Sequence, residues 1–211
     1  MGKEFIELFE QWADSYDTTV SGNDIEYYDV FFQYDELLQK VNHRCFGRIL
    51  EFGVGTGNLT KKLIASGKTV TGIEPSTSMR KIAAAKLGDT VRLFDGDFLD
   101  FPDVGVDTIV STYAFHHLTD DEKGTSITRY GNLLATGGKI VFADTMYESE
   151  ETYKRAIDDA LEKGFLNLAE DLQREFYPTI PFLKKLMEQN GFQVSFERWN
   201  NFVWIMEGVK Q

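Results

Sequence analysis

Short runs of apolar, largely β-branched residues alternate along the chain with stretches in which apolar side chains return every third or fourth position. The runs at 47–52, 68–73, 90–94, 106–112 and 138–144 predict strands, each closed by Gly, Pro, Asp or Ser. Helices are predicted between them. Leu59, Leu63 and Ile64 share one helical face, while Met79, Ile82, Ala83 and Leu87 share another that stops at Gly88. Thr119 and Glu122 have capping-box spacing and open a helix carrying Ile127, Tyr130, Leu133 and Leu134 as far as Gly137. Strands joined through single helices cross over in the right-handed sense, so the pattern predicts a doubly wound α/β domain with a mostly parallel sheet. The end of the chain breaks the alternation. A helix over 179–191 is followed by two aromatic-rich strands separated by Asn200 and Asn201, a pair that favours an antiparallel hairpin. Ahead of the first strand, Ile25, Tyr28, Phe32, Leu37 or Leu38, and Val41 fall at helical spacing and read either as packing against the domain or as a lid.

The bulk numbers narrow the partners. With 34 acidic residues against 22 basic ones the formal charge is −12, and no basic stripe offers itself to a phosphate backbone, so a nucleic-acid partner is not expected. No stretch reaches the roughly 18 apolar residues of a membrane span, and the acidic N-terminus does not resemble a signal peptide, so the expectation is a cytoplasmic protein with no membrane partner. Cys45 is the single cysteine, and His43, His116 and His117 are the three histidines; their spacing suggests no structural zinc site, and no metal is expected. At 211 residues, one domain is the default.

The chemistry starts at 49–60, ILEFGVGTGNLT. A tight strand-to-helix loop needs residues without a β-carbon, both to reach positive φ and to let a ligand touch the backbone, and Gly53, Gly55 and Gly57 meet both needs. Dinucleotide sites use a related loop spaced G-x-G-x-x-G; here the spacing is G-x-G-x-G and Glu51 precedes it. A carboxylate there repels a pyrophosphate and can accept hydrogen bonds, directly or through water, from a cationic ammonium group. Glu74, closing the second strand, can accept from two ribose hydroxyls, a feature shared with nicotinamide-binding folds. Asp97 can accept from an exocyclic amine and Phe98 offers a flat apolar surface for a base. The three acids stand 23 positions apart each time, at the ends of three successive strands.

Those segments, with VDTIVSTYAFHHL and LLATGGKIVFAD, resemble the ordered motifs of class I S-adenosylmethionine-dependent methyltransferases over about residues 47–145, and the whole chain is similar to the YrrT-type methyltransferases of Gram-positive bacteria. The resemblance implies a Rossmann-like, seven-stranded sheet with the last strand antiparallel and S-adenosylmethionine as cofactor. It implies that Gly53 and its neighbours meet the methionine part, Glu74 the ribose, Asp97 and Phe98 the adenine, and that Tyr16 closes over the cofactor. Thr136-Gly137-Gly138 stands where the family usually has Pro-Gly-Gly, which changes turn stiffness more than chemistry. The expected organisation is one domain over 1–211: a helical lid at 1–45, a cofactor-binding core at 46–145, a helical insert at 146–190 and a hairpin at 191–211.

Methyl transfer from a sulfonium is an in-line displacement that needs alignment and dryness, and a general base only for some acceptors. Tyr113, His116 and His117 are candidate catalytic or acceptor-positioning groups; His117 equally reads as packing against the cofactor loop or capping the next helix. Tyr147, Phe165, Phe176, Tyr177 and Trp199 are candidates to line a pocket for a small-molecule acceptor, or else core. The acceptor and the oligomeric state are open. Two rival readings remain: a non-catalytic cofactor-binding module, and a nicotinamide-dependent oxidoreductase, weakened by the loop spacing and the lack of a suitably placed Tyr-x-x-x-Lys pair.

Overall fold

The computed structural model describes residues 4–211, apart from the side chains of Glu4 and Leu8. Seven strands form one sheet: β1 (Arg48–Phe52), β2 (Thr69–Ile73), β3 (Arg92–Phe94), β4 (Thr108–Thr112), β5 (Lys139–Thr145), β6 (Phe192–Arg198) and β7 (Val203–Lys210). Their order is β3-β2-β1-β4-β5-β7-β6. The pairs among β1 to β5 are parallel, whereas β7 runs antiparallel to both β5 and β6. The order reverses between β1 and β4, which makes the crevice at their C-terminal ends the topological switch point where open α/β sheets bind ligands.

Both faces of the sheet are covered. Alternate residues of a strand point to opposite sides, so Leu50 and Phe52 join Ile127, Tyr130, Leu183 and Met187 on one face, from helices α6 (Asp120–Leu133) and α9 (Ile180–Gln189). On the other face Ile49 meets Leu37, Leu38 and Val41 of α3 (Tyr34–Arg44) and Leu59 and Leu63 of α4 (Asn58–Ala65). The capping box at Thr119 and Glu122 is present and fixes where α6 begins. Next along β2 lies α5 (Thr77–Leu87), whose N-cap Ser76 accepts from Met79 N–H.

The helical stripe expected over 25–41 does not form as one helix. Residues 25–33 are turns, Gln33 has φ 55°, and α3 begins at Tyr34. The left-handed Gln33 breaks the periodicity, so Ile25, Tyr28 and Phe32 are 76%, 48% and 42% exposed while Tyr27 and Val30 turn inward. This inward pair packs with Tyr147, Leu168 and Leu172 beneath α7 (Glu150–Glu162) and α8 (Leu166–Arg174). The chain's first helix, α1 (Glu4–Trp12), and the short α2 (Tyr16–Thr18) complete the leader.

Candidate functional site

Beyond β1 the backbone crosses toward β2: Gly53 and Val54 donate to the Ile73 carbonyl at 2.9 and 3.3 Å. Gly53, Gly55 and Gly57 have φ of 66°, 57° and 90°, the left-handed region that side chains rarely adopt. A β-carbon on Gly53 would sit 2.7 Å from that of Ala114 in the loop after β4, whereas one on Gly55 would meet nothing within 4 Å. Gly55 therefore presents bare backbone to open space at the crevice. Gly57 has a different task, because a β-carbon there would press on Leu87 at 3.0 Å; it lets α4 approach α5 and does not line the crevice cavity.

Glu74 leans across this loop. One carboxylate oxygen accepts from Gly55 N–H at 2.7 Å and the other from Ser76 N–H at 2.8 Å. Burial pushes its pKa up to about 7 against the pull of those two amides. A cavity of about 50 Å³ opens beside it, lined by Gly53, Gly55, Glu74, Asp97, Phe98 and Tyr16 among others. The third-strand acid is held in a turn: Asp97 Oδ1 accepts from Leu99 and Asp100 N–H at 2.7 and 2.9 Å, which commits one oxygen to the loop. Phe98 is buried, stacked on Phe52 with centroids 5.0 Å apart, and reaches the cavity at one edge of the core.

Glu51 is placed otherwise than expected. It shares the β1 face of Ile49, so it points at α4, accepts from Thr60 Oγ1 at 2.7 Å, is 1% exposed and does not line the cavity. Burial drives its pKa up to about 8.

The leader lies over the crevice. Phe9 and Tyr16 line the cavity from above. Two carboxylates clamp the leader down: Glu10 accepts from Ser78 N–H, Ser76 Oγ and Ser78 Oγ at the start of α5, and Asp17 from Thr56 Oγ1 at 2.6 Å and Asn58 Nδ2 at 3.1 Å at the start of α4. Those donors pull the Glu10 pKa down to about 2.

A second chamber, about 70 Å³, adjoins the first and shares Phe9, Tyr16, Tyr113 and His117 with it. Tyr113 has φ 53°, a conformation rare for a bulky residue and found where function tolerates strain. Its hydroxyl donates to the Val30 carbonyl at 3.1 Å, and burial holds its pKa well above the ordinary value. His116 Nδ1 lies 2.5 Å from Asp144 Oδ1, and its Nε2 lies 3.3 Å from Glu175 Oε2. Burial opposes charge on this ring, yet the carboxylates of Asp144 and Glu175 hold its pKa above the ordinary value. His117 packs against Phe5 and Phe9, with centroids 4.8 and 5.1 Å away; burial keeps it neutral, and its Nδ1 makes no hydrogen bond.

Of the aromatic residues expected around the acceptor, Tyr177 lines this chamber. Tyr147 and Phe165 instead border a separate, larger groove of about 420 Å³ along α7, Phe176 is 39% exposed, and Trp199 donates to the Phe32 carbonyl away from the chamber. Sequence reasoning missed Tyr27, Asp171, Glu175 and Asp144. Asp144 is the penultimate residue of β5, an acid near a strand end but with nothing in the sequence to pair it with His116; Glu175 follows α8 in a segment with no periodic feature to mark it.

A model of the methyltransferase domain matches residues 49–138. An uncharacterized methyltransferase of Geobacillus sp. (strain WCH70) is 58% identical over 213 residues, covering 100% of both chains. The chain belongs to this methyltransferase family. A further member, from Bacillus licheniformis, is 54% identical over 212 residues, again with 100% of both chains covered. Among solved structures, magnesium protoporphyrin IX methyltransferase from Synechocystis PCC 6803 with bound SAH superposes at a TM-score of 0.74 with 15% identity over 100% of both chains. DhpI in complex with SAH does so at 0.68 and 19%, covering 97% of this chain and 95% of that one. At these identities the likeness is one of fold. Among the described residues of this methyltransferase no helix is long and apolar enough to cross a membrane.

Proposed function

We propose that this methyltransferase moves a methyl group from S-adenosylmethionine to a small-molecule acceptor held in the second chamber. The observation that carries the reading is the shared wall: the cofactor crevice and the acceptor chamber meet at Phe9, Tyr16, Tyr113 and His117. When bound, S-adenosylmethionine supplies an electrophilic methyl on a sulfonium. The residues fit such a molecule: bare backbone at Gly53 and Gly55, a buried carboxylate at Glu74 for vicinal hydroxyls, and the second oxygen of Asp97 beside the ring of Phe98 for a base.

The chain's own work is alignment and exclusion of water. Orientation of this kind can lower a barrier by roughly 7–11 kcal/mol. Phe9, Tyr16 and Tyr113 supply apolar walls at the junction, and His117 presents the polar edge against which an acceptor is set. The two cavities, about 50 and 70 Å³, are far below the roughly 300–1,000 Å³ usual for small-molecule sites. In this reading the leader, which lines both cavities through Phe9 and Tyr16, acts as a lid that moves aside to widen them for the two ligands.

Calorimetric titration with S-adenosylmethionine, S-adenosylhomocysteine and NAD tests the cofactor half: the first two are expected to bind, and binding of NAD alone would overturn the reading. Incubation with S-adenosylmethionine and a metabolite extract tests the enzyme half. Release of S-adenosylhomocysteine above the control without extract is expected; silence across broad extracts favours a non-catalytic binding module.

A further inference from the structure

The second chamber ends in a group of side chains, His117 among them, whose combined chemistry goes beyond what alignment of an acceptor needs. His116, His117 and Glu175 each offer one donor atom, and these atoms all lie within 4.8 Å of one another. Glu175 Oε2 is 3.3 Å from His116 Nε2, and Glu175 Oε1 is 3.7 Å from His117 Nδ1. Ligands bound at about 2.0–2.1 Å in a tetrahedron stand about 3.3 Å from each other, so these separations are close to the edges of a coordination polyhedron.

The surroundings point the same way. His117 Nδ1 is buried in a residue only 3% exposed and has no hydrogen-bond partner, an expensive arrangement for a lone pair aimed into a chamber. Asp144 is fixed by the backbone N–H groups of Phe115 and Thr145, each at 2.7 Å, and faces His116 Nδ1. A carboxylate behind the imidazole in this way sets the tautomer and directs the Nε2 lone pair outward, the usual support for a metal-bound histidine. The Tyr177 hydroxyl donates to Glu175 and orients that carboxylate as well.

We propose that His116 Nε2, His117 Nδ1 and the Glu175 carboxylate form a three-ligand site for a divalent cation of the zinc class, with its open position directed into the acceptor chamber. Two imidazoles and one carboxylate suit zinc and its neighbours, and suit calcium or magnesium poorly. Three protein ligands leave room for an exchangeable one, as in catalytic sites. A cation held there selects an acceptor with an anionic or lone-pair donor atom and places it beside the wall shared with the cofactor crevice. That last consequence rests on the methyltransferase reading; the metal site itself does not.

The test uses the full, untagged chain stripped with a chelator and then titrated with Zn²⁺ against a chromophoric competitor, with Co²⁺ as a spectroscopic probe. One equivalent is expected, with Co²⁺ ligand-field bands of four- or five-coordinate type. Glu175→Gln, near in shape to the native residue, and His117→Gln are each expected to weaken binding at least tenfold, while His43→Ala, an exposed histidine outside the chamber, leaves it unchanged. Asp144→Asn is expected to lower affinity by roughly 10- to 100-fold through loss of outer support. Melting temperature and S-adenosylmethionine binding, measured on the same samples, report whether each variant is folded. No stoichiometric uptake by the native chain, or undiminished uptake in both folded ligand variants, overturns the site whether or not S-adenosylmethionine binds.

Discussion

Gly55 N–H donates to the Glu74 carboxylate at 2.7 Å, so the glycine loop after β1 and the acid after β2 are tied to each other in the free protein. A ligand that uses Glu74 finds it already aimed. Hydrogen bonds to a charged acceptor contribute roughly 1.5–3 kcal/mol each, and two from a ribose make Glu74→Ala expected to weaken S-adenosylmethionine binding by about 100-fold or more. Glu74→Gln keeps one acceptor oxygen and should fall in between. Calorimetry on both variants decides it, and unchanged affinity in Glu74→Ala removes Glu74 from the site.

Asp97 separates loop structure from ligand contact. Its Oδ1 closes the turn through Leu99 and Asp100. Asp97→Asn retains that acceptor and is expected to keep the melting temperature while losing cofactor affinity by tenfold or more. Asp97→Ala should lose both. Native affinity in Asp97→Asn would show that only the turn matters.

Gly53 and Gly55 share a left-handed backbone and differ in what surrounds them. Alanine in that conformation costs about 1–2 kcal/mol. At Gly55 this is the whole expected loss of stability, roughly 2–8 °C for a chain of this size, together with weaker cofactor binding where its β-carbon projects. At Gly53 the 2.7 Å approach to Ala114 adds a backbone shift, so Gly53→Ala is expected to melt distinctly lower. Equal melting temperatures would contradict the packing argument.

The clamp on the leader gives a kinetic expectation. Glu10→Gln and Asp17→Asn weaken the charged contacts to Ser76, Ser78, Thr56 and Asn58 that hold α1 and α2 down. Each should speed hydrogen exchange over residues 4–23 and raise the dissociation rate of S-adenosylhomocysteine, with little change in global melting. Unaltered exchange would mean the lid is held by its apolar face alone.

Glu51 supplies a pH signature. Its folded pKa, about 8, lies above the ordinary 4.5, so the native state binds more protons than the unfolded chain between those values. The contribution is fully present below pH 4.5 and is lost as pH rises through about 8. Replacing the group by Gln removes the titration, so the fall in melting temperature from pH 5 to pH 8 should be shallower in Glu51→Gln than in the native chain. Parallel profiles would place the ionisation elsewhere.

Much of the sheet was legible because its central strands β1, β4 and β5 are buried on both faces and bounded by turn residues, and the hairpin because Asn200 and Asn201 separate a pair of aromatic runs. The leader was not. Ile25, Tyr28 and Phe32 mimic a helix face, but a single left-handed residue, Gln33, resets the phase, and no residue type announces that in advance. Among the acids, Glu74 was readable from its place after a strand, while Glu51 misled because adjacency to the loop says nothing about which face of β1 it occupies; the alternation with Ile49 decides that. The second chamber was hidden for another reason. His116 and His117 were visible, but Asp144, Asp171 and Glu175 reach them only through tertiary structure, and chain spacing carries no trace of the meeting.

Phe9 and Tyr16 line both chambers, so the proposed lid is one door for two visitors. An upswing wide enough to admit a nucleoside also unseals the neighbouring compartment, and the spent nucleoside and the methylated product leave through the same opening. On the lid reading proposed above, turnover is paced by the opening of residues 4–23, and a solute that thickens the medium should slow the enzyme more than a weaker nucleophile does.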